Sequence, residues 1–224
     1  MNRSYAQIRA RIDKAAQAAG HRAHLLAVSK TKPAAAIREL AAQGQRAFGE
    51  NRVQEALAKQ RELTDLDLEW HLIGPLQSNK CREAALHFDW LQSLDREKLL
   101  EPLNRFRPAD APPLSVLVQV NVDAEASKSG CAPEAVPALA RTIAQFPRLR
   151  LRGLMAIPEP HADPAQRRAA FARMRALFDA LQADHPDIDT LSMGMSEDFE
   201  LAIAEGATLV RIGSALFGAR ISPP

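Results

Sequence analysis

The stretch HLLAVSKTKPAAAIRELAAQGQRAFGENRVQEALAKQRELTDLDLEWHLIG, residues 24–74, sets the pattern for the whole chain. It holds three short apolar runs, His24–Lys30, Arg46–Asn51 and Trp70–Gly74. Short runs of this kind, bounded by Gly, Pro, Asn or Ser, read as strands. Between them, Ala34–Gln43 and Val53–Leu63 place apolar residues at i, i+3 and i+4, which reads as amphipathic helix. The alternation continues outward from this stretch. Further strands are expected at Trp90–Leu94, Ser115–Val122, Arg150–Ile157, Thr190–Met195 and Leu209–Gly213. Further helices are expected at Ser78–Leu86, Pro133–Gln145, Gln166–Asp184 and Glu197–Ala204.

Strict strand–helix alternation implies parallel strands joined by right-handed crossovers. Eight such units imply a single TIM (β/α)8-type barrel, taken as one domain over residues 1–224. A doubly wound open sheet is the alternative, but AVSKTKP after the first strand is no glycine-rich phosphate loop. After the eighth strand only about a dozen residues remain, too few for a full closing helix. The opening segment Ser4–Ala19 is expected as an extra N-terminal helix that covers that part of the barrel. The Pro-rich stretch Arg107–Pro113 reads as a loop at the bottom of the barrel, and Pro158–Pro164 as one at the top.

With 224 residues, 46% hydrophobic and 25% charged, the composition is globular. A formal net charge of +2 gives no electrostatic footprint for nucleic acid or an anionic membrane. No apolar run approaches the ~18 residues of a membrane span, and the N-terminus lacks the apolar core of a signal peptide. A cytoplasmic location is therefore expected. Cys81 and Cys131 stand far apart, without metal-ligand spacing, and read as small buried or half-buried thiols; no metal site is expected.

In such a barrel the chemistry belongs at the C-terminal strand ends. Gly49, Gly74, Gly194 and Gly213 all fall there, where a bare backbone would let something approach closely. Lys30 closes the apolar run LLAVSK. If Leu26 and Val28 point inward, period-two alternation carries Lys30 to the same side. Desolvation there suits a nucleophilic amine, whereas the bland alternative is a lysine reaching to water. Lys14, Lys59, Lys80 and Lys98 fall in helical segments and read as solvated; Lys128 reads as a loop residue. Ser196 and Ser214, beside Gly194 and Gly213, are placed to hold a phosphate, although Ser196 could simply cap the following helix. Arg211 interrupts an apolar strand and needs either a core carboxylate or a ligand. Asn51 could cap a helix or touch a ligand, and His71 reads as a core or supporting histidine. A lysine with a phosphate cradle implies a phosphorylated carbonyl compound. An aldolase-type enzyme and a pyridoxal phosphate protein both fit, and Arg211 favours the second, as a partner for a pyridine nitrogen.

Seven blocks in order make the pattern recognisable: LLAVSKTKP (25–33), AFGENRVQE (47–55), WHLIGPLQSNK (70–80), SKSG (127–130), LRGLMAIP (151–158), LSMGMSEDFE (191–200) and VRIGSALFGAR (210–220). Together they resemble the YggS/PROSC family of pyridoxal phosphate homeostasis proteins. The resemblance implies a fold-type III barrel without a C-terminal β-domain, binding pyridoxal 5'-phosphate as a Schiff base on Lys30. It implies phosphate contacts from Ser196, Gly213 and Ser214, and Arg211 facing the pyridine nitrogen. Asn51, Met155 and Met193 are expected to line the cofactor. Arg52 stands where many relatives carry an aromatic. The family acts in vitamin B6 and amino-acid homeostasis with no firmly established reaction. The expected partners are the cofactor, free amino acids and, transiently, enzymes that use the cofactor, with the chain itself a monomer. A weak racemase is the alternative. It needs a base on each face of the substrate, and the only tyrosine, Tyr5, lies far from the strand ends.

Overall fold

The structure is a computed structural model and describes residues 5–123 and 129–218. Ser127 and Lys128 of the SKSG block, Ser4 and Arg220 lie outside the described residues. The eight strands are β1 (His24–Val28), β2 (Ala47–Glu50), β3 (Glu69–Leu72), β4 (Trp90–Leu94), β5 (Leu114–Val120), β6 (Leu149–Ala156), β7 (Thr190–Ser192) and β8 (Leu209–Ile212). All pairs are parallel, and the sheet closes in sequence order, β8 pairing with β1 through His24–Leu209 and Leu26–Arg211. This is the expected (β/α)8 barrel. The expected strands begin within one residue of the observed ones and, β4 apart, overrun their C-terminal ends by one to three residues, because the chain continues from the strands in an extended, apolar form.

The helices form the outer layer: α1 (Tyr5–Ala19), α2 (Ala34–Ala42), α3 (Val53–Glu62), α4 (Cys81–His87), α5 (Leu100–Phe106), α6 (Val136–Ile143), α7 (Pro164–Asp184), α8 (Phe199–Ala204) and α9 (Ser214–Phe217). Alternation divides each strand between two cores. Leu25, Ala27, Phe48, Leu72 and Val116 face outward and join the helices' apolar stripes in one large cluster. Trp90, Leu117 and Met155 form a separate small cluster. Helix α5 was not singled out in the sequence. Its Pro102 falls in the first turn, where a missing N–H costs nothing. Helix α9 has four residues, too few to cover the closing strand pair. Helix α1 instead buries Ile8, Ile12 and Ala16 and packs against α8, α9 and β1, as expected of the opening segment. None of the described helices is long and apolar enough to cross a membrane.

Lys59 corrects one expectation. It is buried, because on α3 it lies on the same face as Val53 and Ala56. Its ammonium pairs with Glu50 at 2.6 Å and Glu55 at 2.7 Å. Two oppositely charged partners compensate the loss of water that would otherwise exclude a lysine from this layer.

Candidate functional site

The C-terminal mouth of the barrel opens into a cavity of about 680 Å³. Its wall contains Val28 and Lys30 from the end of β1, Asn51 after β2, Ile73 after β3 and Ile157 after β6. Met195, Ser196 and Asp198 follow β7, Arg211 comes from β8, and Gly213 and Ser214 come after it. Six of the eight sequence-derived site residues are therefore brought together: Lys30, Asn51, Ser196, Arg211, Gly213 and Ser214. Met155 and Met193 are not in that wall. Met155 is fully buried beside Trp90 and Leu117, and Met193 is buried in the outer core. The methionine that reaches the cavity is Met195, in the loop after β7. Arg52 stands at the start of α3 and is not part of the wall.

Lys30 is half-buried in the wall, one residue after Ser29 and one before Thr31. Both neighbours are held. Ser29 Oγ donates to Glu50 Oε1 at 2.6 Å, and its carbonyl accepts from Lys59 Nζ at 2.8 Å. Thr31 N–H donates to Glu55 Oε1 at 2.5 Å. Thr31 takes φ 63°, the left-handed region that a β-branched residue rarely enters. Such a conformation costs about 1–3 kcal/mol and persists only where its surroundings impose it. The Glu50–Lys59–Glu55 cluster is that imposition, and it sets the direction in which Lys30 leaves the strand. Burial pushes the Glu50 carboxyl above its ordinary range against the opposing pull of Lys59 and Ser29. Its Oε2 has no hydrogen-bond partner.

Arg211 is buried and has no carboxylate among its hydrogen-bond acceptors. It donates to Ser192 Oγ at 2.6 Å and to the Ala156 carbonyl at 2.7 Å. Burial lowers its pKa to about 10, with Asp198 pulling the other way. It therefore remains a cation at neutral pH and brings a positive charge to the cavity wall without a direct carboxylate partner. Ser196 and Ser214 hydroxyls stand 3.2 Å apart. Ser196 does not cap α8; Asp198 occupies that position, and its carboxylate accepts from Met195 N–H at 2.7 Å. Nor does Asn51 cap α3, whose cap residue is Arg52. Gly213 is the strand-end glycine that opens onto the cavity; a Cβ there would stand 3.2 Å from the Val28 carbonyl. At Gly74 and Gly194, as at Gly213, the approaching groups are the protein's own. A Cβ on Gly74 would lie 2.1 Å from the Asn51 carbonyl, and one on Gly194 2.5 Å from Ala202 Cβ.

Three basic residues of the wall were not foreseen: Lys32, His161 and Arg167. Lys32 Nζ donates to the Phe217 carbonyl at 3.0 Å, tying the loop after β1 to α9. His161 and Arg167 come from the loop after β6 and the first turn of α7; the sequence marked the first as a loop at the top of the barrel and the second as helix, but singled out neither side chain. Tyr5 lines a different cavity, at the N-terminal mouth. Cys81 and Cys131 are unpaired thiols outside the cavity wall, and burial raises both, Cys131 to about 11. Among the described residues no group of His, Cys, Asp and Glu is placed to hold a metal ion.

A cationic floor, paired hydroxyls and a strand-end amine form a donor set suited to a phosphorylated aromatic aldehyde. The amine can add to a carbonyl carbon, the hydroxyls can donate to a phosphate, and the guanidinium can donate to a ring nitrogen.

Residues 4–221 match the family model described as alanine racemase, N-terminal domain. A protein of Pseudomonas aeruginosa named pyridoxal phosphate homeostasis protein is 62% identical over 218 residues, covering 96% of this chain and 94% of its own. PipY of Synechococcus elongatus, solved without PLP, superposes with a TM-score of 0.86 at 45% identity over 95% of this chain and 97% of that one. Its structure with PLP bound gives a TM-score of 0.80 at 46% identity, over 88% and 92%.

Proposed function

The chain belongs to the pyridoxal phosphate homeostasis proteins of the alanine racemase N-terminal domain family, and from that premise we propose that it holds pyridoxal phosphate at the C-terminal mouth as a Schiff base on Lys30. The single observation that carries this reading is the meeting of Lys30, Ser196, Ser214 and Arg211 in one cavity wall. The residues fit the group. The cavity, about 680 Å³, is of ligand size, and Gly213 lies in its wall. Lys30 supplies the amine, and Ser196 and Ser214 donate to the phosphate. Arg211 can only donate, so it holds the ring nitrogen as an acceptor. When bound, the cofactor supplies an electrophilic carbon and an electron-withdrawing ring. A ring nitrogen kept unprotonated withdraws electrons weakly, which suits holding the cofactor better than turning over amino acids on it.

The proposed role is cofactor homeostasis, as carrier or regulator in the cytoplasm, with the chain acting as a monomer and not as an enzyme. Inverting an amino acid needs a second base opposite Lys30. Tyr5 is at the other mouth and unavailable. One observation favours the second reading, a weak racemase: His161 stands in the cavity wall. Titrating purified protein with pyridoxal phosphate and following visible absorbance tests the binding. Incubating the loaded protein with D- and L-alanine and serine, with chiral chromatography of the products, separates the two readings.

A further inference from the structure

The barrel interior carries a hydrogen-bond chain that runs from one mouth to the other. Arg211 Nη1 donates to Ser192 Oγ at 2.6 Å. Ser192 Oγ lies 2.7 Å from Gln92 Oε1, and Gln92 Nε2 lies 2.8 Å from His71 Nδ1. His71 Nε2 lies 2.7 Å from Glu69 Oε1. The members come from β8, β7, β4 and β3, so the Ser192–Gln92 link crosses the lumen between strands that are not neighbours. His71, Gln92, Ser192 and Arg211 are 1%, 0%, 0% and 4% exposed. Arg211 lines the C-terminal cavity, while His71 and Glu69 line the N-terminal one.

The chain has one direction. A guanidinium can only donate, so Ser192 Oγ accepts from it and sends its own proton to Gln92 Oε1. The Gln92 amide then presents its NH2 to His71, whose Nδ1 must be the bare nitrogen. The ring proton therefore sits on Nε2 and points at Glu69. The His71 ring is held in plane by stacking on Trp90, with centroids 5.1 Å apart and 7° between planes. Each interior group has its partner, which a buried polar network requires if it is to rigidify rather than destabilise. A barrel interior is ordinarily filled by branched apolar side chains. Replacing those by an amide, a hydroxyl and an imidazole needs a reason beyond packing.

We infer that Ser192, Gln92, His71 and Glu69 are positioning residues for Arg211, fixing the guanidinium against the cofactor ring. The inference rests on the reading that Arg211 meets the ring nitrogen. It extends the cofactor site to residues that do not touch the cofactor.

The test measures pyridoxal phosphate and pyridoxal affinity, the absorbance maximum of the bound cofactor, and the denaturation midpoint of the cofactor-free protein. The variants are Ser192→Ala, Gln92→Leu and Glu69→Gln. Cutting a charge-assisted bond at Ser192 should weaken binding about tenfold. The loss should be equal for pyridoxal phosphate and pyridoxal, because the device acts on the ring and not on the phosphate. The absorbance maximum should move. Glu69→Gln, at a half-exposed position, should keep the fold and shift the maximum in the same direction by less. Unchanged affinity and absorbance in folded Ser192→Ala or Gln92→Leu, with only the midpoint lowered, would reduce the chain to a structural role and overturn the inference. If those two variants do not fold, an unchanged maximum in Glu69→Gln overturns it alone. Failure of the unmodified protein to bind would instead remove the underlying reading.

Discussion

Lys30 leaves β1 between two anchored neighbours, and the anchors lie in residues whose chemistry is otherwise hidden in the outer layer. Lys59→Met would strand the buried Glu50 carboxylate, whose Oε2 already lacks a partner. Breaking one side of a buried pair typically costs about 3–5 kcal/mol. The expected result in urea denaturation is a loss of that order, smaller when Glu50→Gln is added. At the phosphate end, Ser196→Ala and Ser214→Ala should each weaken pyridoxal phosphate about tenfold while barely affecting pyridoxal, since only the former carries the dianion. Equal weakening of both would make these serines structural. Glu69 gives a pH signature. The His71 hydrogen bond holds its carboxyl below the ordinary range, against desolvation. A depressed carboxyl contributes stability above its unfolded pKa of about 4.3 and loses it as pH falls through the folded value. Acid titration of folding should show that loss in the unmodified protein and a smaller one in Glu69→Gln. At this scale the sequence disclosed Lys30, because a lone lysine after an apolar strand has a direction set by alternation. It did not disclose Lys59, since helical periodicity ranks faces by apolar content and a paired lysine reads as solvent-facing. Gln92 and Ser192 were equally hidden: a polar residue inside a short strand becomes meaningful only when a partner 100 residues away in sequence is known to face it.

At the scale of elements, β2, β4 and β8 were legible because each is short, apolar and bounded by turn residues, and their closure into a barrel followed from the count. Helix α5 escaped because its seven residues run straight into the Pro-rich stretch Arg107–Pro113, read as a loop. Among the described residues only the four-residue α9 follows β8, and α1 packs against α8, α9 and β1 there, as the opening segment was expected to do. That packing is testable: Ile12 is fully buried between α1 and its neighbours. Ile12→Ala should cost about 2–5 kcal/mol in equilibrium unfolding, the range for truncating a buried aliphatic side chain. A loss below about 0.5 kcal/mol, the scale of ordinary surface substitutions, would mean that α1 is an appendage and not part of the barrel wall.

For the molecule as a whole, one mouth carries an amine, two hydroxyls and a buried cation, and the other carries Tyr5 and the start of the interior chain. Of the two methionines expected at the cofactor neither is in the cavity wall; the methionine there is Met195, in the loop after β7, where strand alternation no longer sets a side-chain direction. With Tyr5 at the far mouth, loaded protein incubated with amino acids should show spectral change without inverted product; turnover near the ~10 s⁻¹ common to enzymes would promote the racemase reading. The account stands on Lys30 above all. Borohydride reduction of the loaded protein, followed by peptide mass mapping, should place one pyridoxyl phosphate adduct on Lys30 and none on the Lys30→Ala variant. An adduct on Lys32, Lys59 or Lys80 instead would contradict it.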